Sequence, residues 1–174
     1  MKNVIAIMLF LAGTLYVSAQ TSVFKKFEDL NEVTSVVVTQ EAFKLMKNMG
    51  GNTPEAKEYQ DLISGLSELK VLITENGKIA TDMQTSFNIY IGSGKLTELM
   101  RVKDKGSNVS IYIKKGTKED IVNELVMFVN DEKSTKKQTV IMSLTGNIDL
   151  NKVYRLTEQM HIPGGEHLKN NKKQ

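Results

Sequence analysis

Hydrophobic and polar positions repeat with two different periods along this chain, and the periods predict its strands and helices. Short β-branched or apolar runs predict six strands, at residues 33–39, 69–74, 96–103, 109–114, 125–129 and 139–145. Apolar stripes with a spacing of three and four residues predict helices at 40–49, 54–66 and 79–91, and after Asp149. The predicted order is therefore β-α-α-β-α, four strands in series and a final helix.

The connections between these elements indicate the fold class. Short turns join the last four strands, which favours antiparallel pairing because parallel strands need a long crossover. Each helix has one apolar stripe to bury against a sheet. We therefore predict an α+β fold, a two-layer sandwich in which a mainly antiparallel sheet has its helices packed on one face.

The segment from Ile121 to Leu150 carries the clearest local pattern. Its first strand is apolar at every position, which predicts burial on both faces. Gly146 is expected to end the second strand, and Asp149 to cap the next helix, with Ile148 and Val153 as a hydrophobic staple. Gly146→Val should destabilise by about 1–3 kcal/mol, because glycine there adopts a backbone conformation that other residues avoid. The alternative is that Gly146 and Asp149 belong to a functional site.

Several segments also resemble a known family. Glu124–Met127 followed by Ser143–Leu150 resembles the C-terminal signature of an exported Bacteroidota family, domain of unknown function 4252. Further similar blocks are Val33–Val36 with Phe43–Met46, and Leu99–Lys103, so the resemblance spans residues 24–159. These are packing and turn motifs, and the resemblance implies no activity or site residue. It does imply a sensing or regulatory role beside envelope sigma-factor systems. Many members have a cysteine for lipid attachment, which this chain lacks.

The first 19 residues have the pattern of a signal peptide. Lys2 precedes an apolar run from Val4 to Val17, and small residues reach Ala19. The run is shorter than the ~20 residues that span a bilayer; a buried N-terminal helix is the alternative. Residues 20–168 are then expected to form a single domain, and 169–174 a disordered basic tail. The prediction is a soluble periplasmic or secreted protein without a membrane span after cleavage.

Charge and composition exclude several classes of function. The net charge is +3, but Lys2 and the lysines at 169, 172 and 173 contribute +4, so residues 20–168 carry −1. Nucleic-acid binding by a basic face is therefore not predicted. The absence of cysteine excludes disulfides, thiolate metal sites and a cysteine nucleophile.

Two motifs suggest chemistry, and each has a simpler interpretation. Gly92-Ser93-Gly94-Lys95 is similar to part of a phosphate-binding loop, but Ile89 and Leu96 replace its required glycine and hydroxyl residue. A helix end and linker is preferred. His161, Glu166 and His167 are residue types that bind zinc, but they lie in a glycine-rich tail without a rigid element, so a surface tail is preferred. No catalytic, cofactor-binding or metal-binding residue is assigned.

The sequence therefore favours an exported, non-catalytic envelope module with a binding or regulatory role and an unknown envelope protein or surface component as partner. An envelope hydrolase that uses carboxylates or the His161/His167 pair is the alternative. A deep pocket that joins a carboxylate to a histidine or to backbone amides would support it. A structural or adhesive subunit with an exposed strand edge is the third hypothesis.

Overall fold

One antiparallel sheet organises the part of the chain that a computed structural model describes, residues 22–93, 96–104, 106–118, 120–132, 137–150 and 152. Its strands are β1 Val33–Thr39, β2 Leu66–Thr74, β3 Thr97–Asp104, β4 Ser107–Lys115, β5 Ile121–Asp131 and β6 Gln138–Asp149. Their order across the sheet is β1-β2-β6-β5-β4-β3. Four helices accompany them: α1 Ser22–Lys25, α2 Gln40–Met49, α3 Pro54–Ser64 and α4 Gly77–Ser93.

The sheet and its helices confirm the predicted α+β sandwich, with every described strand pair antiparallel. The helices, however, divide between the two faces instead of sharing one. Helices α2 and α3 pack on one face through Phe43, Leu62 and Ile63. Helix α4 packs on the other through Met83 and Phe87. We call these the α2 face and the α4 face. An apolar stripe shows that a helix is buried on one side, but not which sheet face receives it.

The central strands are apolar on both sides because both faces are covered. Residues 125–129 of β5 are all buried, as their uninterrupted apolar run predicts. Across the sheet, Val71, Met142 and Met127 are aligned on the α2 face. Leu72, Ile141 and Phe128 are aligned on the α4 face. None of the described helices is long and apolar enough to cross a membrane.

Helix α1 and the turn after it were not predicted. Phe24 and Phe27 are buried on the α4 face. The Phe24 ring lies 5.2 Å from the Tyr90 ring in an edge-to-face arrangement. A helix of four residues is too short to show a helical period, so the apolar pattern gave no signal for it.

Gly146 does not end its strand. Strand β6 continues to Asp149, and its register with both neighbours shifts around Gly146, which is the pattern of a β-bulge. Gly146 has φ +135°, so the predicted need for glycine is physically sound. The turn predicted between Gly146 and Asp149 is wrong, because these residues are part of β6. Leu150 is helical, which puts Asp149 directly before a helix, but the predicted staple residue Val153 lies outside the described residues.

Candidate functional site

The sequence motifs do not assemble a site in the described part of the chain. Gly92 and Ser93 form the last turn of α4, while Gly94 and Lys95 lie outside the described residues. His161, Glu166 and His167 lie outside them as well, as do the predicted signal peptide and basic tail. Within residues that the structure describes, no three His, Cys, Asp or Glu side chains converge to hold a metal ion.

A buried tyrosine–glutamate pair joins α4 to the middle of the sheet. The Tyr90 hydroxyl donates to Oε1 of Glu124 on β5. Burial raises the pKa of Glu124 above its ordinary value, and the Tyr90 hydrogen bond and Lys114 partly offset that rise. Burial and the Glu124 carboxylate also raise the pKa of Tyr90. Neither side chain lines the grooves described below, so the pair is interpreted as an anchor for α4.

A second buried charge ties the turn after α1 to the sheet. The Lys70 side chain is 5% exposed, and its Nζ lies 2.7 Å from Glu28 Oε1 and 3.4 Å from Glu68 Oε1. A buried ammonium without a carboxylate partner would be strongly unfavourable, and here it has two. Lys70 pairs across the sheet with Ser143, which is also buried. These polar groups therefore have a structural explanation.

Hydrogen bonds fix the start of α4 over the end of β2. Asn76 Oδ1 accepts from the amides of Lys78 and Ile79, at 2.9 and 3.1 Å, so Asn76 is the N-cap. Its Nδ2 donates to Glu32 Oε1 at 2.8 Å. Thr74 Oγ1 donates to the Glu32 carbonyl, also at 2.8 Å. The cap therefore holds both α4 and the entrance of β1, and it positions the side of α4 that forms a groove wall.

Two adjoining grooves lie along that side of α4, on the α4 face. One, of about 370 Å³, lies between α4 and strands β3 and β4. The other, of about 410 Å³, lies between the start of α4 and the ends of β2, β5 and β6. Gln84, Phe128 and Asn130 line both, so together the two grooves form one surface along α4. We call it the amide groove, because amide side chains are prominent in its lining: Gln84, Asn88, Asn108, Asn130 and Gln138.

The floor of the amide groove combines aromatic rings with a polar row. Phe87 stacks on Phe128 at 5.0 Å and meets Tyr112 edge-on at 5.8 Å. At one end of the sheet, Asn108 pairs with Asn130 and Asn130 with Thr139. Thr139 Oγ1 lies 3.3 Å from Asn130 Oδ1. A polar row on a covered sheet face is unusual unless the groups bind one another, solvent or a ligand.

The two edges of the sheet differ in chemistry. Strand β3, at one edge, contains four charged residues and a register irregularity between Glu98 and Met100. Charges and bulges are the usual protection of an exposed edge against pairing with another chain. Strand β1, at the other edge, reads VTSVVVT and contains no charged residue and no proline. Among the described strands, β1 is therefore the edge open to a further strand.

The main-chain groups of β1 alternate between β2 and the open side. The Val33 amide donates to the Leu30 carbonyl at 3.0 Å instead of pairing across to β2. Because main-chain directions alternate along a strand, the N–H and C=O groups of Ser35 and Val37 point to the open side. Those of Val36 point to β2.

Apolar side chains continue this open edge onto helix α2. Val36 is 42% exposed, and it shares the α2 face with Val38, two residues further on. Helix α2 lies over β1 and β2 and exposes Leu45 at 64% and Met49 at 86%. The apolar stripe of α2 is wider than the surface that Phe43 buries, so these leucine and methionine side chains remain exposed. We call Val36, Leu45, Met46 and Met49 the β1–α2 surface; Val37 is also exposed, at 41%, but its side chain lies on the opposite face of the sheet, across from Lys70.

In the described part of the chain, the fold and these surfaces are those of an antiparallel α+β sandwich with one sheet edge free of charges and a polar groove on the α4 face. The chain belongs to the family Domain of unknown function (DUF4252), whose match covers residues 27–156. This confirms the expected resemblance over nearly the same span. No curated protein and no solved structure matches the chain.

Proposed function

We propose that this protein is an exported, non-catalytic module of the cell envelope that binds a partner protein by adding an extended segment of the partner to β1. The observation that carries the proposal is the contrast between the sheet edges, one charged and irregular, the other neutral and β-branched. Strand addition uses main-chain hydrogen bonds for affinity and flanking pockets for specificity. The exposed apolar residues of α2 provide such a flank on the same face of the sheet.

The proposed location rests on the sequence. The charged, apolar and small-residue pattern of residues 1–19 is typical of a signal peptide, and the resemblance to an exported Bacteroidota family agrees with it. We propose that residues 20–168 act as a single domain in the periplasm or outside the cell. A regulatory or sensing role is compatible with a module that responds by binding a partner segment.

The hydrolase alternative receives no support from the described residues. The amide groove includes the carboxylates of Glu75 and Glu132, and both histidines of the chain lie outside the described residues. The pKa of Glu124 is raised, but Glu124 lies outside the groove and its carboxylate accepts a hydrogen bond from the Tyr90 hydroxyl. The structural or adhesive alternative shares the β1 edge with our proposal, and differs in that a second copy would occupy it.

Photocrosslinking from the open edge tests the proposal directly. A photoreactive amino acid at Val37 on β1 is compared with one at Arg101 on β3 in envelope extracts. We expect a specific crosslinked protein from position 37 and not from position 101, with the crosslink mapped to an extended segment of the partner. Crosslinks from Arg101 alone, or between two copies of this chain, would contradict the proposal, and the second outcome would support the structural subunit.

Two substitutions at Val37 then separate main-chain from side-chain recognition of the crosslinked partner. Val37→Pro removes an N–H that faces the open side, and proline is tolerated at such an edge position. We expect binding to weaken about 10-fold or more, because the strand loses a hydrogen bond and the ring blocks its neighbours. Val37→Thr keeps the N–H and the β-branched shape, so it should bind within about 3-fold of wild type, a loss below ~1 kcal/mol. Equal losses in both variants would refute main-chain pairing.

A further inference from the structure

We propose that the amide groove binds a neutral polyhydroxylated ligand, namely an oligosaccharide. The groove is separate from the β1–α2 surface, so this inference does not depend on the proposed function. Its two parts have the size of small-molecule sites, which run from about 300 to 1,000 Å³. It opens along one side of α4, which suits an elongated ligand better than a compact one.

The polar groups of the groove match hydroxyl groups. A carboxamide offers two N–H donors and two acceptor lone pairs, and therefore complements a hydroxyl, which both donates and accepts. Gln84 and Asn88 stand one turn apart on the exposed side of α4. Asn108 faces them from β4, beside its cross-strand neighbour Asn130. Amides on opposite walls can thus reach hydroxyls on two edges of a sugar ring.

Tyr112 is the half-buried ring of the aromatic floor and can meet the apolar face of a sugar, whereas Phe87 and Phe128 are buried beside it. Phe87, Phe128 and Tyr112 form a connected ring cluster beneath the amides. A pocket that combines an aromatic surface with a few convergent polar groups is the usual arrangement for small-molecule recognition. Tyr112 is also fixed in place, because its hydroxyl donates to Glu98 Oε2 at 2.8 Å.

The charges of the groove favour a neutral ligand. Arg101 and Lys103 lie at one end, where Glu98 pairs with Arg101, with Nη2 2.5 Å from Oε2. At the other end Glu75 and Glu132 stand near Lys137. The middle, where the two parts of the groove meet at Gln84, Phe128 and Asn130, is uncharged. Among the described lining residues the positive charges therefore lie at the two ends of the groove, and the neutral amide groups lie at its middle.

An array of neutral and acidic oligosaccharides, followed by titration calorimetry with the best neutral one, tests the inference on the purified protein. We expect binding to neutral oligosaccharides. The Gln84→Ala/Asn88→Ala variant should bind about 10-fold or more weakly, since each lost hydrogen bond contributes about a factor of 2 to 10 in affinity. Both positions are exposed on a helix where alanine is well tolerated, so the variant should remain folded.

Asn48→Ala, an exposed helical amide on α2, is the matched control and should leave affinity unchanged within about 2-fold. No binding on the array, binding to acidic oligosaccharides alone, or binding that the double variant does not weaken would each overturn the inference. Melting curves of the double variant and the control establish that a loss of binding reflects the groove and not unfolding.

Discussion

Replacing Gly146 with alanine places a methyl group where β6 touches the main chain of the turn between α3 and β2. A Cβ at this position would lie 2.3 Å from the Gly65 carbonyl oxygen and 2.8 Å from Leu66 Cα. Both contacts are with main chain, so no flexible side chain can move aside. The approach is held by a hydrogen bond of 2.7 Å from the Asn147 amide to the same Gly65 oxygen. The methyl group therefore separates two strands or strains the bulge.

Two contributions determine the expected size of the effect. A left-handed φ costs a residue with a Cβ about 1–2 kcal/mol. Overpacking against fixed atoms costs about 1–3 kcal/mol. The free energy of unfolding should thus fall by about 2–5 kcal/mol, more than the conformational term alone predicted, and the melting temperature by roughly 4–20 °C.

Two further alanine variants distinguish the contributions. Gly65 has φ −84°, but its Cβ would lie 2.3 Å from the Asn147 carbonyl oxygen. Gly65→Ala therefore tests the steric part alone and should cost about 1–3 kcal/mol. At Gly92, in the last turn of α4, a Cβ would meet no atom within 4 Å. Gly92→Ala should stabilise slightly, by up to about 1 kcal/mol.

Thermal denaturation followed by circular dichroism measures all three. The expected order of melting temperatures is Gly92→Ala highest, Gly65→Ala lower and Gly146→Ala lowest. A Gly146→Ala midpoint equal to wild type would refute the steric argument. If that variant also lost partner binding, the alternative that Gly146 serves a functional site would be supported instead.

Two predictions concern the anchors of α4. Glu124→Gln keeps an acceptor for the Tyr90 hydroxyl and removes a carboxyl whose pKa is raised in the folded state. That carboxyl's contribution to stability is present below its ordinary pKa of 4.5 and is lost as pH rises through the raised value. The melting temperature of the variant should therefore gain on that of wild type between about pH 4 and 7, and a constant or shrinking difference would contradict this. Asn76→Ala removes the N-cap of α4 and should lower the free energy of unfolding in urea by about 0.5–2 kcal/mol. The control Asn48→Ala should change it by no more than about 0.5 kcal/mol, and equal midpoints for the two variants would show that the cap is dispensable.

Elements with strong local signals were predicted closely. The β-branched run of β1 has the same bounds in the structure as in the sequence pattern. Thr39 and Thr53 cap α2 and α3, each accepting from the amide three residues on, at the helix starts that the sequence pattern predicted. These signals are local, because a turn or helix cap is determined by residues close to it in the sequence.

Features that depend on strand order could not be predicted. Ser110 and Tyr112 alternate with buried residues of β4, a pattern typical of a solvated face, but in the structure that face forms a groove wall under α4. The neutral composition of β1 is visible in the sequence, but its importance follows only from its position at the edge. Gly146 showed a special backbone requirement, whereas the contact with Gly65 joins segments 81 residues apart.

The sheet order also implies an order of assembly. Strands β3 to β6 are neighbours both in sequence and in space, so they can pair by closing short loops. Strands β2 and β6 meet at the centre although Leu66 and Gly146 are 80 residues apart. Closing that long loop is entropically slow, so the joining of β2 to β6 is expected to limit the folding rate. The bulge at Gly146 lies at this junction, which makes it a place where a single methyl group would slow folding as well as weaken the folded state.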